Sequence, residues 1–199
     1  MSAKEKIIVL KTFKHGESDL IVHGLNPLGA RMGFFARGGL KSRKRFAGGI
    51  LEPTHYIEVS YKPGSSTDPD PLHTLLEAQM IREFQKLRTD YARLESALRL
   101  VKLVHKLSQQ GVVDSPELFN LLGNALASAE TTGNVEKLLT HFEIKILAAQ
   151  GVLPPDDDFK GWLATPLAQH ESINAQGEDF QWVRQQTHDH LRHYLGEIF

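Results

Sequence analysis

Apolar positions in the first third of the chain come in short runs separated by turn residues. Ile7 to Phe13 is rich in β-branched side chains and is broken by Lys14-His15-Gly16-Glu17-Ser18. Leu20 to Leu25 follows, ending in Asn26-Pro27-Leu28-Gly29, which has turn chemistry. Arg31 to Arg37 predicts a third strand, and Gly38 to Arg45 an exposed loop rich in Gly, Lys and Arg. In His55 to Tyr61 the residues Tyr56, Glu58 and Ser60 alternate with Ile57, Val59 and Tyr61, the period of a half-buried strand. Beyond a loop from Pro63 to Pro71, Leu72 to Ala78 predicts the segment that closes the sheet. Five short strands in this span predict a small Greek-key barrel of the OB type; periodicity alone does not separate it from an SH3-like barrel.

From about Gln79 the period becomes helical. Leu87, Tyr91, Leu94, Leu98, Val101 and His105 recur at spacings of three or four, and Leu100, Leu103, Val104 and Leu107 widen the apolar face. Gly111 is placed to stop this helix, and Asp114-Ser115-Pro116-Glu117 to start the next, with a capping residue and Pro at a first helical position. Glu117 to Ala129 predicts that second helix. A third begins near Asn134 and ends at Gly151, with Leu138, Leu139, Phe142, Ile146, Leu147 and Ala149 inward. Leu153 to Gly177 reads as irregular, and Glu178 to Gly196 as a last helix through Phe180, Val183, Thr187, Leu191 and Leu195. The expected architecture is therefore multi-domain, β then α: an N-terminal OB-fold over residues 1–78 and an all-α helical domain over residues 79–199.

Charge sharpens that division. Residues 1–63 carry 11 Lys and Arg against 5 Asp and Glu, a balance of +6; residues 64–199 carry 12 against 19, a balance of −7, giving the overall −1. A basic barrel and an acidic helical part point to a division of labour, with a polyanion as partner of the barrel. With no cysteine in the chain, disulfides, thiolate nucleophiles and cysteine-ligated zinc are excluded. No apolar run approaches the roughly 20 residues of a membrane span, and the opening Ile7-Ile8-Val9-Leu10 is too brief for a signal-peptide core, so a cytoplasmic protein with no membrane partner is expected.

The densest chemistry lies between Arg31 and Arg45, where Arg31, Arg37, Lys41, Arg43, Lys44 and Arg45 occur without a carboxylate. Phosphate recognition needs this density, because each neutralised phosphate releases condensed counterions. Phe34, Phe35, Phe46, Tyr56 and Tyr61 are candidate stacking rings, although core packing is the better account of any single one. The cluster His188, His190 and His193 has poor metal-ligand spacing, and the Asp156-Asp157-Asp158 triplet reads as solvated carboxylates. No nucleophile-elbow, phosphate-loop, zinc-protease or dinucleotide motif occurs, so no enzymatic activity, cofactor or metal is expected.

Several of these segments carry a family resemblance. Ile8-Val9-Leu10-Lys11-Thr12 followed by Gly16-Glu17-Ser18-Asp19-Leu20-Ile21-Val22 resembles the opening of the RecO family. The similarity continues through Ala36-Arg37-Gly38-Gly39 to Arg45-Phe46-Ala47-Gly48-Gly49-Ile50-Leu51-Glu52-Pro53, and returns at Phe142 to Gly151. The resemblance implies a role in DNA repair and homologous recombination: binding of single- and double-stranded DNA, strand annealing, cooperation with RecR, and help in loading RecA onto DNA coated by single-strand-binding protein, whose acidic C-terminal tail the family recognises. Many family members carry a four-cysteine zinc site after the helix that ends at the position of Gly151. This chain lacks those cysteines, so residues 152–177 are expected to be held by packing alone. An acidic tail needs a cationic rim, which Arg99, Lys102 and Lys106 on one helix are candidates to supply. Two other readings stand beside this one. A protein-interaction adaptor whose OB-fold does not bind DNA would show little salt dependence, and a hydrolase built on the histidine cluster would hold stoichiometric metal.

Overall fold

A single strand pairs with two partners to close the barrel. In the computed structural model, which describes residues 2–65, 70–109, 115–154 and 157–196, β1 (Ala3–His15) is 13 residues long. Its first half pairs antiparallel with β4 (Tyr56–Lys62), from Ala3 opposite Tyr61 to Ile8 opposite Tyr56. Its second half pairs antiparallel with β2 (Asp19–Leu25), and the register shifts between Val9 and Lys11. Such an irregularity bends the strand and lets it pass from one neighbour to the other. At that bend the Val9 N–H donates to the His55 carbonyl at 2.8 Å, and the Thr54 N–H donates to the Val9 carbonyl at 2.9 Å. The remaining strands, β3 (Arg31–Ala36) and β5 (Leu72–Arg82), complete a closed barrel in the order β1-β2-β3-β5-β4. Only β3 and β5 run parallel, which is the OB topology.

The interior is one layer of apolar side chains: Ile7, Val9, Val22, Phe34, Ile57, Val59 and Leu75, all at most 1% exposed. Gly24 allows β1 to pass closely, because a Cβ there would lie 2.5 Å from the Ile7 Cδ1. Ile8 and Leu10 are buried too, which explains why β1 reads as an unbroken apolar run. Asn26 sits buried at the β2–β3 turn, and its side-chain oxygen accepts from the N–H groups of Leu28 and Ala30 at 3.1 and 2.9 Å.

β5 continues to Arg82, past the Ala78 end expected from the sequence. Gln79, Met80 and Arg82 pair with Glu58, Ile57 and Tyr56, yet Gln79 to Arg82 are all exposed, so no alternation marks them as strand. A 3₁₀ turn (Gln85–Thr89) leads into α1 (Tyr91–Gln109), α2 (Pro116–Ala129) and α3 (Val135–Ala149). Pro116 opens α2 as expected, and the Asn134 side chain caps α3 by accepting from the Lys137 N–H at 3.0 Å. The expected stop at Gly111, the cap at Asp114 and Asp156 of the acidic triplet lie outside the described residues. The stretch expected to be irregular contains α4 (Asp157–Ala164) and a 3₁₀ turn (Leu167–Ser172) before α5 (Gly177–Leu195), which Gly196 ends in a left-handed conformation. The chain packs as two compact units, Met1–Gln85 with Val101–Gly123, and Lys86–Leu100 with Asn124–Phe199. No described helix is long and apolar enough to cross a membrane.

Residues 152–177 are held by more than packing, contrary to the expectation. Phe159, Trp162 and Ile173 join Ile144, Phe180 and Val183 in a buried cluster. Lys137, His141 and Lys145, spaced four apart on α3, donate to the carbonyls of Ile173, Trp162 and Leu163, each at 2.7 Å. One helix face thus satisfies three carbonyls of that segment.

Burial holds His141 down to about 4, and burial together with the neighbouring His23 does the same for His105. Between their unfolded value near 6.5 and that folded value, the unfolded chain binds protons that the native one refuses. Stability is therefore full above about pH 6.5 and is lost as pH falls, by roughly 2 kcal/mol per histidine between about pH 7 and 5. Urea unfolding across that range should show the decline, and His141→Gln, which keeps a donor without the titration, should make it shallower.

Candidate nucleic-acid interface

The β3–β4 connection carries Arg37, Lys41, Arg43, Lys44 and Arg45, all exposed. Its start is fixed to the β1–β2 turn. The Asp19 carboxylate accepts from the Gly38 N–H at 2.7 Å, and the Leu40 N–H donates to the Ser18 carbonyl at 2.9 Å. Gly38, at φ 65°, and a Gly39 N–H to Ala36 carbonyl bond of 3.1 Å turn the chain immediately after β3. A side chain at Gly39 would crowd the Ala36 carbonyl and Leu20, each 3.0 Å from its Cβ.

The far end of the loop is fixed by Arg45. Its N–H donates to the Ser42 hydroxyl at 3.2 Å, its guanidinium donates to the Arg37 carbonyl at 2.7 Å, and the same group lies 5.0 Å over the Phe46 ring. Phe46, Ile50 and Leu51 then turn into the barrel core. The Thr12 hydroxyl donates to the Leu51 carbonyl at 2.6 Å and ties this plug to β1. Five cations are thereby held at one end of the barrel on a loop anchored at both ends. Concentrated like charge of this kind creates a positive potential suited to a polyanion.

Arg31 is separated from the other five. It begins β3 whereas Arg37 follows its last residue, about 20 Å away by strand rise, and it is ion-paired with Asp70. Lys14, which the apolar pattern assigns to a turn, lies on β1 and lines a cleft of about 370 Å³ with Gly39, Leu40 and Ser42. Its signal was the length of β1, which the Gly16 turn bounds more tightly than the apolar run does.

The candidate stacking rings are engaged within the protein. Phe34 and Phe46 are in the core, and Tyr61 is half-buried against Phe34 at 5.4 Å and His73 at 4.9 Å. Phe35 meets the His15 ring edge-on at 5.7 Å, and Tyr56 meets Phe119 at 5.8 Å.

Of the cations considered for an acidic tail, Arg99 is committed internally. Its guanidinium bonds the buried Glu143 carboxylate at 2.7 and 3.1 Å and approaches the His188 Nε2 at 2.8 Å. Lys102 is exposed and Lys106 half-buried, one and two turns further along α1. His190 and His193 lie along α5, and among the described residues no group of three or more His, Asp or Glu is placed to hold a metal ion.

Residues 1–84 match the family described as Recombination protein O N terminal. The DNA repair protein RecO of Syntrophus aciditrophicus is 35% identical over 156 residues, covering 77% of this chain and 58% of that protein. Those of Thermodesulfovibrio yellowstonii and Maridesulfovibrio salexigens are 31% and 30% identical, covering 80% and 77% of this chain and 60% and 61% of theirs. The matched region thus spans about three fifths of the length of these curated relatives.

The loop anchor is open to direct test. Asp19→Ala leaves the Gly38 N–H without its carboxylate and should lower the urea-unfolding free energy by about 1–3 kcal/mol. Asp19→Asn keeps an acceptor and should recover most of that loss in the same measurement.

Proposed function

This chain belongs to the RecO family, and from that premise we propose that it acts in DNA repair and recombination by binding single- and double-stranded DNA on the basic loop of its barrel. The observation that carries this reading is the set of five exposed cations, Arg37, Lys41, Arg43, Lys44 and Arg45, on a loop anchored at both ends. Anchoring lowers the conformational entropy lost when phosphates bind, so the cations act as a prearranged surface. The work is done by binding, without making or breaking covalent bonds. Neutralising phosphates of two strands lowers their mutual repulsion, which is the physical basis for annealing.

The remaining roles follow from the family and rest on the helical part of the chain. There the protein would meet RecR and the acidic C-terminal tail of single-strand-binding protein, and so assist the loading of RecA onto coated DNA. For the tail, Arg99, Lys102 and Lys106 on α1 are the candidate contacts. Arg99 would take part only by leaving Glu143, and a carboxylate 2% exposed would then lose its countercharge.

Fluorescence anisotropy of a labelled single-stranded oligonucleotide across a salt series tests the DNA-binding reading. With about five phosphates contacted, log affinity should fall with log salt at a slope near −3.5, or about 10²-fold between about 50 and 200 mM. Replacing Arg43, Lys44 and Arg45 together by alanine should weaken binding and bring the slope toward about −1.4. Arg31→Ala, at a residue already paired with Asp70, should leave the slope nearly unchanged. Absence of wild-type binding even at low salt would overturn the reading.

A further inference from the structure

The cationic loop does not lie flat on the barrel: it forms one wall of a cleft of about 370 Å³. Leu20, Phe46 and Leu51 make its floor and are buried residues of the barrel core. Leu40 stands at the lip and is 44% exposed, an apolar side chain set between Arg37 and Lys41. Lys14 enters from the β1 side and Ser42 from the loop side. Gly48 and Gly49, both exposed and at φ 67° and 72°, form another edge without side chains, and a Cβ at Gly48 would meet nothing within 4 Å.

We infer that this cleft takes an unpaired nucleobase of a single strand whose phosphates lie on the surrounding cations. The inference rests on the DNA-binding reading above and deepens it. A base is flat, apolar on its faces and polar at its rim. The cleft offers the same arrangement in reverse: an apolar floor and lip for the faces, with polar groups at the edge. The Ser42 oxygen already accepts from the Arg45 N–H, which leaves its hydroxyl hydrogen to donate to a base carbonyl or ring nitrogen. The bare backbone at Gly48, where a Cβ would meet nothing within 4 Å, permits a ring to lie against it. Phe34 and Phe46 are buried in the core, and Phe35, Tyr56 and Tyr61 are half-buried and each already meets another ring, so the cleft offers a base an aliphatic seat beside them. A paired base inside a duplex has both its polar edge and its faces engaged, so the cleft favours single strands, whereas the phosphate contacts do not discriminate.

Two probes of equal charge test this with the full chain: a thymidine oligonucleotide and a fully abasic deoxyribose-phosphate strand of the same length. The wild type should bind the thymidine strand about tenfold more tightly than the abasic one. Leu40→Ser, at an exposed position where the fold is indifferent, should reduce that ratio toward one and change the abasic affinity less than twofold. Thermal denaturation of the variant establishes that it is folded. Equal wild-type affinity for the two strands would overturn the cleft while leaving phosphate binding intact. A ratio that survives Leu40→Ser would also overturn it, since the bases would then be read elsewhere. Failure to bind either strand would remove the DNA-binding reading itself.

Discussion

A five-stranded barrel has room for a single layer of side chains, and that layer is open to water at each end unless something covers it. In this protein the cover at one end is Phe46, Ile50 and Leu51, delivered by the connection between β3 and β4. Those three residues must remain in the core, so the chain on their N-terminal side is confined to a short path from Ala36 to Phe46. Along it, the Asp19 carboxylate holds Gly38 and the Arg45 guanidinium holds the Arg37 carbonyl. The positive surface is thus a by-product of sealing the barrel. The segment that excludes water from the core also positions the cations and the cleft beside them.

This dependence explains which parts of the protein were legible in the sequence. Strands whose side chains alternate between core and solvent, such as Tyr56 to Tyr61, declare themselves, and turns fixed by Asn26 or Gly16 do so as well. The end of β5 does not, because Gln79 to Arg82 are strand by backbone pairing while their side chains all face water. The density of cations in the loop was visible. That Arg31 faces Asp70 at the other end of β3, and that Lys14 joins the cleft, depends on pairing across the barrel that no local pattern encodes. The motif Gly16-Glu17-Ser18-Asp19 marked the family before its physical role was apparent: Ser18 and Asp19 supply the acceptors that fix the loop.

The helical part solves a different problem. A segment of some 25 residues after α3 must be held without cysteine, of which the chain has none. α3 does this by projecting Lys137, His141 and Lys145 from one face onto three carbonyls. Burying a lysine in this way costs less when its N–H groups are bonded, and the Ile173 carbonyl at 2.7 Å accepts one of them without introducing a second charge. From the other side of the same helix, Glu143 is neutralised by Arg99, with His188 alongside. Polar side chains inside an apolar helix blurred its amphipathic pattern, which is why the sequence placed α3 but gave no sign of what it holds.

The central claim is that nucleic acid meets the protein on the loop that seals the barrel. Amide hydrogen exchange of the full chain, followed residue by residue with and without a single-stranded oligonucleotide at low salt, tests it most directly. The account predicts slower exchange from Arg37 to Leu51 and around Lys14 to Asp19, with α3 and α5 unaffected. Protection confined to the helical part, with the loop exchanging as in the free protein, would contradict it.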